Sequence, residues 1–201
     1  MLKLYSSEPS GNCYKIRLLL AQLGIPYETV EVNVFHGGQR PEGLREGNPL
    51  NKVPLLVLED GRTLPESDAA LWHLAQGTPY LPAEPWLQTH VLRWMFFEQN
   101  QHENSIAINR FIISFTDKQE ELAGPIEFLH RRGVQALETM ERQLAEEPFF
   151  VGERYSIADI ALYAYTHVAH EGNFDLEPYP AIRAWTERVR EQPGHVPMVS
   201  S

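Results

Sequence analysis

The residue types best suited to chemistry lie close to the N-terminus, in the segment Ser10-Gly11-Asn12-Cys13. This segment follows a short alternating strand and precedes a stretch whose apolar residues recur with helical spacing. Serine and asparagine are favoured helix N-caps, but a hydroxyl at the start of a helix also suits the stabilisation of an anion such as a thiolate. For Ser10 and Asn12, a capping role and a catalytic role therefore both stay open.

A second group of residues suits the binding of a small anionic peptide. Val53-Pro54 opens an apolar run that predicts a buried strand, and proline belongs at the first residues of such a strand. If this peptide bond is cis, Val53 presents its N–H and C=O outward, where an extended ligand can pair with them. Glu66-Ser67 comes just before a helical stretch, whose first N–H groups favour an anion. Together these residues predict a site for a peptide with free carboxylates.

The elements that must position these residues follow from hydrophobic periodicity. Alternation predicts strands near residues 2–5, 30–34, 53–59 and 62–64. Helical spacing predicts helices near residues 16–23 and 67–76, with at most one short helix between them in the loop-rich stretch 35–50. The order β-α-β-(α)-β-β-α is typical of an α/β thioredoxin-like domain, here assigned to residues 1–77.

A proline-rich linker at residues 78–86 leads to a second domain. No strand signal of any weight follows it. Long periodic segments occur near residues 86–115, 122–146, 157–170 and 179–191. They predict an all-α domain over residues 87–201.

Four segments of the chain resemble the cytosolic glutathione transferase family, with a theta- or nu-like bacterial N-terminal motif. They are NPLNKVP, LPESDAAL, YSSEPSGNCYKIRLLLAQLGIPYE and FFVGERYSIADIALYAY, and they span essentially the whole chain in the family's order. The resemblance implies a homodimer in which the thiolate of glutathione attacks a small hydrophobic electrophile. Glutathione would be a co-substrate, and no tightly bound cofactor is implied.

The resemblance also implies the residues of the active site. Ser10 takes the place of the residue that stabilises the thiolate, and Asn12 takes the place of its assistant. A thiol of pKa about 8.5 must be stabilised as the anion by about 2.7 kcal/mol to reach a pKa of about 6.5. A hydroxyl donor and a helix N-terminus together suffice for this, since each contributes on the order of 1–2 kcal/mol. Tyr5, within the first strand, is expected to be a packing residue.

The same resemblance implies the contacts of bound glutathione. Val53 would pair with its cysteinyl backbone and Pro54 would hold that geometry. Ser67 would receive the γ-glutamyl carboxylate, and Glu66 the ammonium. The glycyl carboxylate is assigned to Lys52 and Gln39, with His36 as the alternative to Gln39. The pocket for the second substrate is assigned to His36, Arg110, Phe111 and Tyr163.

Cys13 is the single cysteine of the chain. Ser10-x-x-Cys13 has the spacing of a thioredoxin C-x-x-C in which serine replaces the attacking cysteine. A thiol at a helix start can have a lowered pKa, but a small buried packing residue is the commoner outcome. Cys13 therefore keeps glutathione-dependent disulfide reduction or peroxidase chemistry as an alternative function. A glutathione-binding regulatory protein without turnover is a further alternative, because a fold alone does not fix function.

Three features of the second domain carry separate expectations. Ser156-Ile157-Ala158-Asp159 predicts a capping box, so Asp159 is interpreted as structural. The polar stretch at residues 98–104 either faces a ligand or is a solvated helix face. A helix with Trp94, Phe96 and Phe97 could bury part of a two-fold interface.

Composition excludes several classes of protein. The chain has 17 Lys and Arg against 27 Asp and Glu, a formal net charge of −10, which disfavours binding to nucleic acid. It lacks a run of about 20 apolar residues and a signal-peptide core, so we expect no membrane partner and a cytoplasmic location. The stretch from His167 to Glu171 does not have a known zinc-motif spacing, so no metal is predicted.

Overall fold

The computed structural model describes residues 1–34, 38 and 40–199. The backbone forms two compact units. The first contains Met1–Gln76 together with the C-terminal segment from Pro193, and the second contains Gly77–Gln192.

The C-terminal segment differs from the sequence-based expectation, which assigned it to the second domain. It joins the first unit because two side chains of the first helix bind its carbonyl groups. The Tyr14 hydroxyl donates to the Val196 carbonyl at 2.7 Å, and Arg17 Nη2 donates to the Met198 carbonyl at 2.7 Å. Bonds from side chains to a distant backbone leave no periodic pattern in the sequence.

Four short strands form the sheet of the first unit, in the order β2-β1-β3-β4. Their bounds are β1 Leu2–Ser6, β2 Tyr27–Glu31, β3 Leu55–Val57 and β4 Thr63–Pro65. The pair β1–β2 is parallel, and the pairs β1–β3 and β3–β4 are antiparallel. The helices are α1 Gly11–Leu23, α2 Glu42–Gly47 and α3 Ser67–Leu74. This mixed sheet with its helices confirms the thioredoxin-like class.

Alternation along the strands separates two apolar clusters. Leu4 and Leu56 pack with Ile16 of α1 and Ala70 of α3. Leu55 instead packs with Leu44 of α2 and with Val32, and Tyr5 and Val53 adjoin that cluster. Successive strand residues point to opposite faces, so α1 and α3 cover one face and α2 covers the other.

The second strand was predicted near residues 30–34, but β2 begins earlier, at Tyr27, and ends at Glu31. Val32 lies just after the end of β2, and its N–H donates to the Ser6 carbonyl at 2.7 Å.

The second unit is helical, as predicted. Its α-helices are α4 Pro85–Phe97, α5 Ile108–Phe115, α6 Ala123–Glu146, α7 Ile157–Thr166 and α8 Pro180–Arg190. A π-helical segment, Glu98–Ala107, joins α4 to α5, and a 3₁₀ turn, Ala169–Gly172, follows α7. Across the part of the chain that the structure describes, no helix is long and apolar enough to cross a membrane.

The polar stretch of the sequence lies in the π-helical segment and is divided between surface and interior, because Asn100, Gln101 and Asn104 are exposed. Glu98, His102 and Ser105 are buried, and His102 Nε2 lies 2.9 Å from the Thr166 hydroxyl of α7. These positions are therefore not a solvated face. In α4 the aromatic residues divide as well, because Trp94 is 2% exposed in the core whereas Phe96 is 64% exposed.

Asp159 forms the predicted capping box at the start of α7. Its carboxylate accepts the Ser156 N–H at 2.9 Å and the Phe150 N–H at 3.1 Å, together with Trp185 Nε1–H at 3.0 Å. It is fully buried. Asp159 thus joins three parts of the second unit and is structural.

Candidate functional site

The strand register brings the predicted site residues of the first unit to one edge of the sheet. Leu55 pairs with Tyr5 of β1 on one side and with Pro65 of β4 on the other. At this edge β1 ends, β3 begins and β4 ends. The loop to Ser10, the residues Val53 and Pro54, and the start of α3 at Ser67 therefore leave the sheet side by side.

Ser10 is the N-cap of α1. Its hydroxyl oxygen accepts the Cys13 N–H at 3.3 Å, and its backbone is extended, with φ −79° and ψ 120°. A hydroxyl that accepts through a lone pair still has its own proton to donate. Capping and stabilisation of an anion are therefore compatible in this one side chain.

Asn12 and Ser67 are joined directly, which connects the two groups of residues identified in the sequence. The Ser67 hydroxyl lies 3.2 Å from Asn12 Oδ1 and donates to it. Ser67 is buried and is the first residue of α3, where the amide N–H groups have no acceptor within the helix. The residue predicted to receive a carboxylate is thus bonded to the residue predicted to assist the thiolate.

Glu66 lies in an unfavourable backbone conformation, with φ 70° and ψ 115°. A left-handed φ costs a residue other than glycine about 1 kcal/mol or more. Such conformations persist where the surrounding structure holds them, and they occur often at ligand sites. Glu66 is exposed, and Ser67 starts α3 directly after it.

The loop before β3 is built around the buried side chain of Asn48. Its Nδ2 donates to the Lys52 carbonyl at 2.8 Å, and its Oδ1 accepts the Leu50 N–H at 3.0 Å. The Val53–Pro54 peptide bond is cis. The ladder residues of β3 begin at Leu55, so Val53 lies outside the ladder, and the Lys52 side chain is exposed. Asn48 was not identified from the sequence, although asparagine often makes such local turns.

We expect Asn48→Ala to lower the free energy of unfolding by about 1–3 kcal/mol, because it leaves the partly buried Lys52 carbonyl and Leu50 N–H without their partner. Asn48→Asp keeps the acceptor for Leu50 but places a carboxylate oxygen against the Lys52 carbonyl, so it is expected to lose at least as much stability as the alanine variant. Urea denaturation measures both variants. An alanine variant as stable as the original chain would contradict this role of the asparagine.

Cys13 and Tyr5 are packing residues. Cys13 is completely buried, and its Sγ accepts the Ser7 N–H at 3.3 Å. Burial raises the pKa of the Cys13 thiol, against the opposing contributions of Ser10 and Ser7. Both observations disfavour a reactive thiolate at Cys13. Tyr5 packs in the cluster beneath α2.

The second-substrate candidates that the structure describes do not form one exposed surface. Tyr163 is 2% exposed and stacks on His167 with ring centroids 4.5 Å apart, so it belongs to the core. Arg110 is 5% exposed and its Nε donates to Glu171 at 2.7 Å. Phe111 is about half exposed. His36, together with the glycyl-site candidate Gln39, lies outside the described residues.

A residue that the sequence did not bring forward adjoins the site. Lys15 is completely buried, and its Nζ lies 3.4 Å from Ser67 Oγ and 3.1 Å from Asp68 Oδ1. The available signal was that Lys15 stands between Tyr14 and Ile16, two residues that are buried in α1. Lysine is almost never fully buried unless it is paired, so a lysine at such a position predicts a buried partner.

Two family models match the chain. The glutathione S-transferase N-terminal domain matches residues 9–76, and the glutathione S-transferase C-terminal domain matches residues 130–193. The chain is 32% identical to the disulfide-bond oxidoreductase YfcG of Escherichia coli (strain K12), over 96% of this chain and 92% of that protein.

Solved structures agree with these matches. A glutathione S-transferase from Pseudomonas fluorescens [Pf-5] is 52% identical, with a TM-score of 0.95 over 99% of each chain. A possible glutathione S-transferase from Rhodopseudomonas palustris is 41% identical, with a TM-score of 0.94 over 100% of this chain and 98% of that one. Motifs, fold and relatives lead to one conclusion: the chain belongs to the glutathione S-transferase family.

Proposed function

We propose that this protein is a glutathione transferase, which uses Ser10 to stabilise the thiolate of glutathione for attack on a hydrophobic electrophile. The observation that carries the proposal is the hydrogen bond between Ser67 and Asn12. It connects a helix start suited to a carboxylate with the loop that holds the hydroxyl of Ser10. One ligand with a carboxylate at one end and a thiolate further along matches this arrangement, and glutathione is such a ligand.

In the proposed complex, glutathione lies extended along Val53 and pairs with its backbone. Its γ-glutamyl carboxylate meets Ser67 and the N–H groups of α3, and its ammonium meets Glu66. Lys52 is exposed on the neighbouring loop and supplies a cation for the glycyl carboxylate. These contacts counter the net charge of −10, which otherwise repels an anionic ligand.

The chemistry then needs little from the protein beyond the thiolate. The thiol loses its proton to water, and the Ser10 hydroxyl donates a hydrogen bond to the sulfur anion. The sulfur forms a bond to an electrophilic carbon, and the leaving group departs with its electron pair. Lowering the thiol pKa from about 8.5 to about 6.5 requires about 2.7 kcal/mol. A charge-assisted hydrogen bond supplies about 1.5–3 kcal/mol of this.

A second candidate is glutathione-dependent disulfide reduction, which the name of the Escherichia coli relative favours. Here the same thiolate attacks a disulfide and releases one thiolate from it. A second glutathione then attacks the mixed disulfide, which yields oxidised glutathione and a second thiol. Neither step needs a protein cysteine, which fits the burial of Cys13.

Parallel assays separate the two functions. The purified protein is given glutathione with 1-chloro-2,4-dinitrobenzene in one assay and with hydroxyethyl disulfide in the other. We expect the rate of conjugation to be higher than the rate of disulfide reduction. We also expect Cys13→Ala to leave both rates unchanged. Disulfide reduction without conjugation would favour the second function, and binding of glutathione without either reaction would favour a regulatory role.

We also propose that the protein acts as a homodimer. The ring of Phe96 on α4, which is 64% exposed, supports this, because aromatic side chains are enriched at protein interfaces. Sedimentation equilibrium is expected to give twice the mass of one chain, and the mass of one chain would contradict the proposal.

A further inference from the structure

The complete burial of the Lys15 side chain is not explained by a gain in folding stability. Its ammonium pairs with Asp68, which is only 14% exposed. A buried ion pair adds little to stability, because the loss of hydration offsets the attraction between the charges. Lys15 is also the fifth residue of α1, near the helix end at which the dipole disfavours a cation.

The contacts of Lys15 show what the cation does locally. Its Nζ–H groups donate to Ser67 Oγ at 3.4 Å and to Asp68 Oδ1 at 3.1 Å. Because the Ser67 oxygen accepts from Lys15, the Ser67 hydroxyl proton is directed to another acceptor. In this structure that acceptor is Asn12 Oδ1, at 3.2 Å.

We infer that Lys15 is a positioning residue for glutathione, and this inference rests on the proposed function. Its ammonium orients the Ser67 hydroxyl, which donates to Asn12 Oδ1 in this structure and turns to the γ-glutamyl carboxylate when glutathione binds. Its charge, paired with that of Asp68, lies in the first unit beside the start of α3. A hydroxyl that accepts from a cation is also a stronger donor, since hydrogen bonds in a chain polarise one another.

The same contacts link carboxylate recognition to the thiolate region. The hydroxyl that Lys15 orients donates to Asn12, the second residue of α1 after its N-cap Ser10. Lys15 thereby fixes the oxygen of the Asn12 amide toward Ser67. Removing Lys15 therefore changes the hydrogen bonding of Ser67 directly and that of Asn12 indirectly, through Ser67.

The experiment compares two ligands that differ only in the α-carboxylate. S-methylglutathione carries it, and S-methyl-4-aminobutyryl-cysteinylglycine lacks it but keeps the ammonium. Isothermal titration calorimetry gives the Kd of each for the original chain and for Lys15→Met. We expect Lys15→Met to weaken S-methylglutathione about tenfold, equivalent to about 1.4 kcal/mol, and to leave the Kd of the truncated ligand within about twofold of its original value.

Two variants control for charge and for folding. Lys3→Met removes the same charge from the same unit, at a side chain that is 38% exposed and paired with Glu28, and we expect it to change neither Kd. Lys15→Met/Asp68→Asn removes both buried charges and leaves no uncompensated ion, so it is expected to fold and to lose the same discrimination between ligands.

The outcomes separate this inference from the proposed function. If the original chain does not bind S-methylglutathione, the proposed function fails. If the original chain binds it but Lys15→Met and the double variant weaken both ligands equally, Lys15 has only a structural role and the inference is overturned. Selective loss of affinity for the ligand with the carboxylate supports it.

Discussion

A Ser10→Gly variant is expected to lower kcat/KM for conjugation by about 5- to 50-fold at roughly pH 6.5, and to lose much less at roughly pH 9. The lost hydrogen bond to the sulfur anion raises the pKa of bound glutathione by about 1–2 units, at 1.36 kcal/mol per unit. Near pH 6.5 most of the thiol is then protonated, whereas at high pH the thiolate forms without help. The pH dependence of kcat/KM measures this shift.

Glycine is the informative replacement because Ser10 also caps α1 through the Cys13 N–H, at 3.3 Å. Glycine weakens an N-cap by only a few tenths of a kcal/mol, whereas alanine costs about 1 kcal/mol. Ser10→Thr keeps both the hydroxyl and the cap and is expected to stay active. Full activity with an unchanged pH profile in Ser10→Gly would contradict the serine assignment, and a shift in Asn12→Ala instead would transfer the role to Asn12.

Asp159→Ala is expected to lower the free energy of unfolding by about 3–5 kcal/mol at neutral pH, because several buried donors lose their acceptor at about 1–3 kcal/mol each. The donors are the N–H groups of Phe150 and Ser156 and the indole N–H of Trp185. Urea denaturation measures the loss. Asp117→Asn, at an exposed aspartate of the same unit, is the control and is expected to change little. A loss below about 1 kcal/mol in Asp159→Ala would contradict the account of this residue.

Burial raises the pKa of Asp159 from its ordinary value of 3.8 to about 6, although the three donors above and the Ser156 hydroxyl, which donates at 3.1 Å, oppose the shift. The folded state then holds this proton more tightly than the unfolded state does. As the pH rises from 3.8 to about 6, the unfolded chain releases the proton first. The contribution of this group to stability therefore falls over that window by about 3 kcal/mol.

Asp159→Asn tests this pH dependence, because it fills the same volume and does not titrate. The stability of the original chain minus that of the variant is expected to fall between pH 4 and pH 7. A difference that stays constant over this range would show that the carboxyl is already ionised in the folded protein at pH 4.

Local patterns predicted most of the fold. The helical spacing from Ile16 to Leu23 and the capping box at Asp159 were sufficient to place α1 and the start of α7. The segment near 86–115 was predicted as one periodic stretch, but its middle, Glu98–Ala107, is π-helical. Apolar periodicity does not separate the two helix types here, because three of the four buried residues of this segment are polar.

The candidate site was predicted less completely. Ser10, Asn12 and Ser67 were identified from the sequence, but the bond between Asn12 and Ser67 joins residues 55 positions apart and has no local signal. Lys15 and Asn48 act through buried contacts with other segments, so their roles depend on tertiary structure. Tyr163 was assigned to the second-substrate pocket from the sequence, but its side chain is buried in the core. Aromatic residues at helical spacing are more often core residues than ligand contacts.

The central claim is that the protein binds glutathione as a thiolate. Ultraviolet difference spectroscopy of the purified chain, titrated with glutathione at roughly pH 6.5, tests it most directly, because free glutathione of pKa about 8.5 is almost wholly protonated there. We expect a saturable thiolate absorbance in the original chain that is lost in Ser10→Gly. Saturable binding by calorimetry without any thiolate absorbance would contradict the claim.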